Sequence, residues 1–124
     1  MFPYQETAIL ARKRMKTGFR IEFLPPAVTF LETTESKARE KIYRNMQQVQ
    51  LVNNVELLKK LNDRIWEFRT SYGGIAYRLL AFRDVTDPLQ PVMIVTHGFK
   101  KKTAKTPLRE IRRAMLAERR YFRK

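Results

Sequence analysis

Residues 64–82 constrain this chain most tightly: two alternating stretches, 64–70 and 75–82, flank Ser71-Tyr72-Gly73-Gly74. Alternating apolar and polar side chains mark half-buried strands, and a Gly-rich break between two such stretches marks a hairpin. With the loop at 71–74, Thr70 lies opposite Ile75, Phe68 opposite Tyr77 and Glu67 opposite Arg78. Directly opposed residues share a face. One face then carries Trp66, Phe68, Tyr77, Leu79 and Ala81 and reads as core, while the other carries Glu67, Arg69, Arg78, Leu80 and Phe82. Arginine matches phosphate bidentately, so the second face suits an anion. The competing reading makes Glu67 and Arg78 a structural cross-strand ion pair and nothing more.

The remaining elements arrange themselves around this hairpin. The stretch 19–24 alternates and predicts a strand, which Pro25-Pro26 ends and converts into a short helix through Leu31. Thr33 and Thr34 read as turn or N-cap residues. Ala38, Ile42, Met46 and Val49 recur at helical spacing and predict a helix over 35–51. Residues 57–61 read as a short apolar turn carrying Lys59 and Lys60. A third meander strand is expected at 92–97, followed by Lys100-Lys101-Lys102 as a basic loop. Thr106-Pro107 reads as an N-cap with proline behind it, opening a last helix with Leu108, Ile111, Met115 and Phe122 on one side. Strand, two helices, three strands and a helix predict an α+β domain over residues 18–124, its helices on one sheet face. Residues 1–17 are expected to be a flexible basic N-terminal tail, read either as an arm on nucleic acid or as a frayed end.

Charge narrows the function. Lys and Arg number 26 against 12 Asp and Glu, a formal net charge of +14. Residues 98–124 hold 11 of these cations and two acids, Glu110 and Glu118. Such a surface attracts RNA, DNA or acidic partners. Cysteine is absent, which excludes disulfides, thiolate nucleophiles and Cys-based zinc sites. A single histidine, His97, excludes a His-rich metal centre. No apolar run exceeds four residues, so no membrane span is expected and a cytoplasmic location is. His97, next to the lysine run, reads either as a buried structural residue or as a group for general acid–base work near neutral pH. Trp66 and Phe99 read as core or stacking residues, and Tyr72 and Tyr77 as weaker acid–base candidates.

Four segments together carry a resemblance: 61–69 (Leu-Asn-Asp-Arg-Ile-Trp-Glu-Phe-Arg), 77–82 (Tyr-Arg-Leu-Leu-Ala-Phe), 97–107 (His-Gly-Phe-Lys-Lys-Lys-Thr-Ala-Lys-Thr-Pro), and Glu110-Ile111 with Ala114. In this order they resemble the phage-related HigB branch of the RelE/ParE toxin superfamily. The resemblance implies a RelE-like twisted antiparallel sheet of about four strands, two N-terminal helices packed on it and a basic C-terminal helix. It implies the toxin of a type II toxin–antitoxin system: a metal-independent endoribonuclease, with no cofactor, that cleaves mRNA on the ribosome. It also implies a cognate helix-turn-helix antitoxin as partner. Arg69, Arg78 and Lys100–Lys102 match basic positions of the family pattern. The expected catalytic set is Arg69, Arg78, His97, Lys100 and Lys102, with His97 as general base on the chemistry of this chain alone. Lys59, Lys60, Lys101, Lys105, Arg109, Arg112 and Arg113 are expected to hold RNA. The alternative is a non-catalytic relative, either a ParE-like gyrase inhibitor or a basic nucleic-acid-binding module.

Overall fold

A computed structural model describes residues 18–52 and 54–123, so the expected tail over 1–17 lies outside the described residues. The elements are β1 (Arg20–Phe23), α1 (Pro25–Thr33), α2 (Ser36–Leu51), β2 (Leu58–Lys60), β3 (Ile65–Tyr72), β4 (Ile75–Asp84), β5 (Val92–Lys101) and α3 (Leu108–Phe122). The class is α+β. The sheet has five strands in the order β1-β5-β4-β3-β2. It is mixed, since β1 pairs parallel to β5 and the other pairs are antiparallel. The expectation of about four antiparallel strands is corrected on both counts. Three residues of β2 are too few to show alternation, and the direction of β1 is set by a crossover through two helices.

The hairpin is tighter than its composition suggests. Tyr72 pairs with Ile75, leaving only Gly73 and Gly74 in the turn, with φ of 58° and 77°. Positive φ at both central residues is the requirement of a type I′ turn, which glycine meets without a Cβ penalty. Shortening the loop from four residues to two moves the register by two positions. Arg78 therefore opposes Arg69, and Glu67 opposes Leu80. A shift of two keeps every side chain on its expected face, where a shift of one would have reversed them all.

Both faces of the sheet are covered, which corrects the expectation of helices on one face. Against α1 and α2 lie Phe68, Tyr77, Leu79, Ala81, Met93 and Val95, in one cluster with Leu31, Ala38, Ile42, Met46 and Val49. Fully burying a side chain of this size is worth ~1.5–3 kcal/mol, so this cluster is a main source of stability. Where α1 crosses β5 there is no room for a side chain: a Cβ on Gly98 would stand 2.3 Å from the Phe30 ring. Against α3 lies a second cluster, Ile65, Leu80, Phe82, Val92, Ile94 and Ala114, with Ile111, Met115 and Tyr121 packed on it. Leu108 and Phe122, expected on the inner side of this helix, are exposed. Ala114 and Glu118 take the inner positions, with the Glu118 carboxylate held by Arg64 at 2.7 Å.

One irregularity in β5 reaches the site. Ala81 pairs with Val95 but Leu80 pairs with His97, so Thr96 is an extra residue, a β-bulge. Its hydroxyl donates to the Leu80 carbonyl (3.3 Å). Beyond the bulge the alternation of β5 is reversed. His97, Phe99 and Lys101 now share the face of Leu80, Arg78 and Ala76, while Gly98 and Lys100 turn toward α1 and α2.

Candidate anion-binding site

The face beneath α3 is apolar at one end and charged at the other. Past Leu80 it carries Glu67 and Arg69 from β3, Arg78 from β4 and Lys101 from β5. Lys59 of β2 pairs with Glu67 and so shares that face. Glu67 and Arg78 are buried, with only 1% and 7% of their surfaces exposed. Glu67 Oε1 faces the Nε atoms of Arg78 (3.6 Å) and Arg69 (3.8 Å). Its other oxygen accepts the Thr106 hydroxyl. Thr106 does not cap α3: Pro107 holds the N-cap position, without a side-chain cap.

This arrangement is electrostatically unbalanced. Like charges directly opposed on neighbouring strands repel, and here two guanidiniums oppose each other with one carboxylate to share. The Nε–H of Arg69 and of Arg78 are both buried without a hydrogen-bond acceptor among the described residues. Such orphaned donors are rare and need an explanation. Burial lowers the tendency of the Arg78 guanidinium to hold its proton; Glu67 works against this and Arg69 adds to it. Lys101 is pushed below the ordinary lysine value of 10.5, first by burial, and Arg78, Arg69 and Lys59 depress it further against the pull of Glu67. Four cations thus surround one carboxylate. A bound anion would give the guanidiniums acceptors and relieve the repulsion.

His97 is elsewhere in its chemistry. It is 2% exposed, its Nε2 lies 2.9 Å from Glu110 Oε1 and its Nδ1 lies 2.8 Å from Thr96 Oγ1. Burial lowers its pKa, the bond to Glu110 opposes this and Arg113 reinforces it. The imidazole therefore joins β5 to α3, with Phe99 between it and Lys101 along the same face of β5.

The lysine run is strand, not loop, through Lys101. Lys100 projects to the opposite face and Lys102 is exposed beyond the strand, so neither joins Arg78. Lys101, expected only to hold RNA, does. Arg69 and Arg78 are brought together as expected. Lys59, Lys60, Lys105, Arg109, Arg112 and Arg113 are exposed cations around the site and along α3. Tyr77 is buried in the core under the other face. Sequence reasoning missed Thr106, whose partner is 39 residues away. Among the described residues no cluster of His, Cys, Asp or Glu could hold a metal ion, and no helix is long and apolar enough to cross a membrane.

A family model described as Phage derived protein Gp49-like (DUF891) matches residues 29–121, from α1 through α3, and so includes every member of the cluster. No curated protein and no solved structure matches the chain.

Proposed function

We propose a function from the premise that this chain belongs to the Phage derived protein Gp49-like (DUF891) family: it is the toxin of a toxin–antitoxin pair and a metal-independent endoribonuclease acting on mRNA at the ribosome. The observation that carries the reading is the pair of opposed arginines, each with a buried Nε–H that has no acceptor among the described residues, set around a single carboxylate. The resemblance to the HigB branch of the RelE/ParE superfamily supports it and supplies the expected antitoxin.

RNA brings its own nucleophile, the ribose 2′-OH. Arg69 and Arg78 hold the scissile phosphate and stabilise the charge that grows on it. Preorganised donors of this kind are each worth roughly 10²–10³ in rate. Glu67 takes the proton from the 2′-OH as that oxygen bonds to phosphorus. Lys101, whose ammonium releases its proton more readily than an ordinary lysine, delivers a proton to the departing 5′-oxygen. The products are a 2′,3′-cyclic phosphate and a 5′-hydroxyl, and every proton is accounted for.

The test is incubation with translating ribosomes, mapping mRNA ends and their chemistry. Wild type should cut and leave cyclic phosphate ends, and Arg78→Ala should lose at least a hundredfold in rate. Growth arrest with intact mRNA and blocked gyrase would replace this reading with the non-catalytic one.

A further inference from the structure

The edge strand β2 joins the two faces of the sheet. Lys59 pairs with Glu67 on the cluster face, and Lys60 pairs with Trp66 on the other. Lys60 Nζ sits over the Trp66 ring, 5.7 Å from its centroid. Trp66 also lines a cleft of about 290 Å³ with Lys60, Arg64 and Arg83. Asp63 and Glu118 line the same cleft, but Glu118 is held by Arg64 at 2.7 Å. Trp66 stands three residues before Arg69 on β3, about 10 Å away along the strand. A half-buried indole beside three cations, at the end of a basic path from a phosphate-type site, has the composition of a platform for a stacked base.

We propose that Trp66 is a nucleobase-stacking subsite for single-stranded RNA, reached from the Arg69–Arg78 cluster across the β2 edge. This rests on the nuclease reading for its direction of approach, though not for the stacking itself. The phosphodiester backbone leaves Arg69, passes Lys59 and turns over the strand edge. There an unpaired base replaces the Lys60 ammonium on the indole, and Lys60 and Arg83 meet the flanking phosphates. Bases of any identity have a π-face, so this subsite adds affinity and fixes the strand's exit without reading sequence. Duplex RNA cannot splay a base into the cleft and is excluded.

The chain holds one tryptophan, so its emission reports this subsite alone. The full chain is titrated with an unlabelled ten-nucleotide single-stranded RNA bearing 2′-O-methyl groups, which block cleavage, while binding of the same RNA is followed separately by anisotropy. Emission should fall by at least half, in parallel with binding. Inorganic polyphosphate should bind without this loss. Trp66→Leu should bind the RNA roughly 5- to 100-fold more weakly, and Trp66→Phe should recover most of the affinity. RNA binding with unchanged emission overturns the subsite, as does RNA that does not bind at all. An equal quench by an acidic peptide assigns the cleft to a protein partner and also overturns it. The nuclease reading fails separately, if Arg78→Ala cleaves unmodified RNA as fast as wild type. The emission measurement needs no substitution, so it stands even where Trp66→Leu does not fold.

Discussion

The two faces of this sheet are built from the same strands by the same alternation, yet they are buried by different means. The face under α1 and α2 is closed mainly by hydrocarbon. The face under α3 is closed by hydrocarbon only over Ile65, Leu80, Phe82, Val92 and Ile94. Beyond that it is closed by Glu67 and Arg78. Burying charges without full pairing costs stability, and an apolar replacement of similar volume would cost less. A chain that keeps two arginines opposed there holds stability below what the position allows, in exchange for a surface ready to receive an anion.

That contrast can be broken experimentally, beginning with the largest effect. Phe68→Ala, on the hydrocarbon face, should cost about 3–5 kcal/mol in denaturant unfolding. A loss under 1 kcal/mol would show that this face is not the stabilising one. Glu67→Gln, on the charged face, should cost about 3 kcal/mol by leaving the arginines without a counter-charge. Inorganic phosphate should return part of that loss, because it binds the folded state. Replacing Glu67, Arg69 and Arg78 together by Met should leave unfolding stability unchanged or raise it, while cleavage falls at least a hundredfold. Clear destabilisation of this triple variant would mean that the charged cluster is structural.

The smallest effect is on pH dependence. Lys101 acts as an acid only while protonated, and its pKa lies below 10.5. Activity should therefore fall as pH rises through that lowered value. Arg69 is one of the charges depressing Lys101, so Arg69→Gln should move the alkaline limb of the residual rate upward. A limb that stays put, or moves down, would remove Lys101 from the proton-transfer step.

What could be read from the residues was what depends on local spacing. The hairpin faces survived a wrong loop length because the error was an even number of residues. The buried stripe Ala38, Ile42, Met46 and Val49 was legible for the same reason, since helical spacing is local. Most of the failures involve partners distant in sequence. Thr106 looks like a cap until β3 brings Glu67 to it. His97 looks available until α3 crosses beneath it and supplies Glu110. β2 is a strand only because β3 pairs with it. The choice of Lys101 over Lys100 and Lys102 depends on the extra residue at Thr96, which exists only as a mismatch between two strands.

That extra residue has a genetic consequence. Loss of the Thr96 codon itself would only iron out the bulge, but loss of one codon beyond it, between His97 and Lys100, would move Lys101 one position along β5 and turn it away from Arg78. In most strands such a deletion would strip the site of a cation. Here the neighbours on either side, Lys100 and Lys102, are also lysines. Either register therefore delivers an ammonium to the same place, and the repeated lysine makes this corner of the site tolerant of insertions and deletions that its arginines, neither flanked by another basic residue, could not survive.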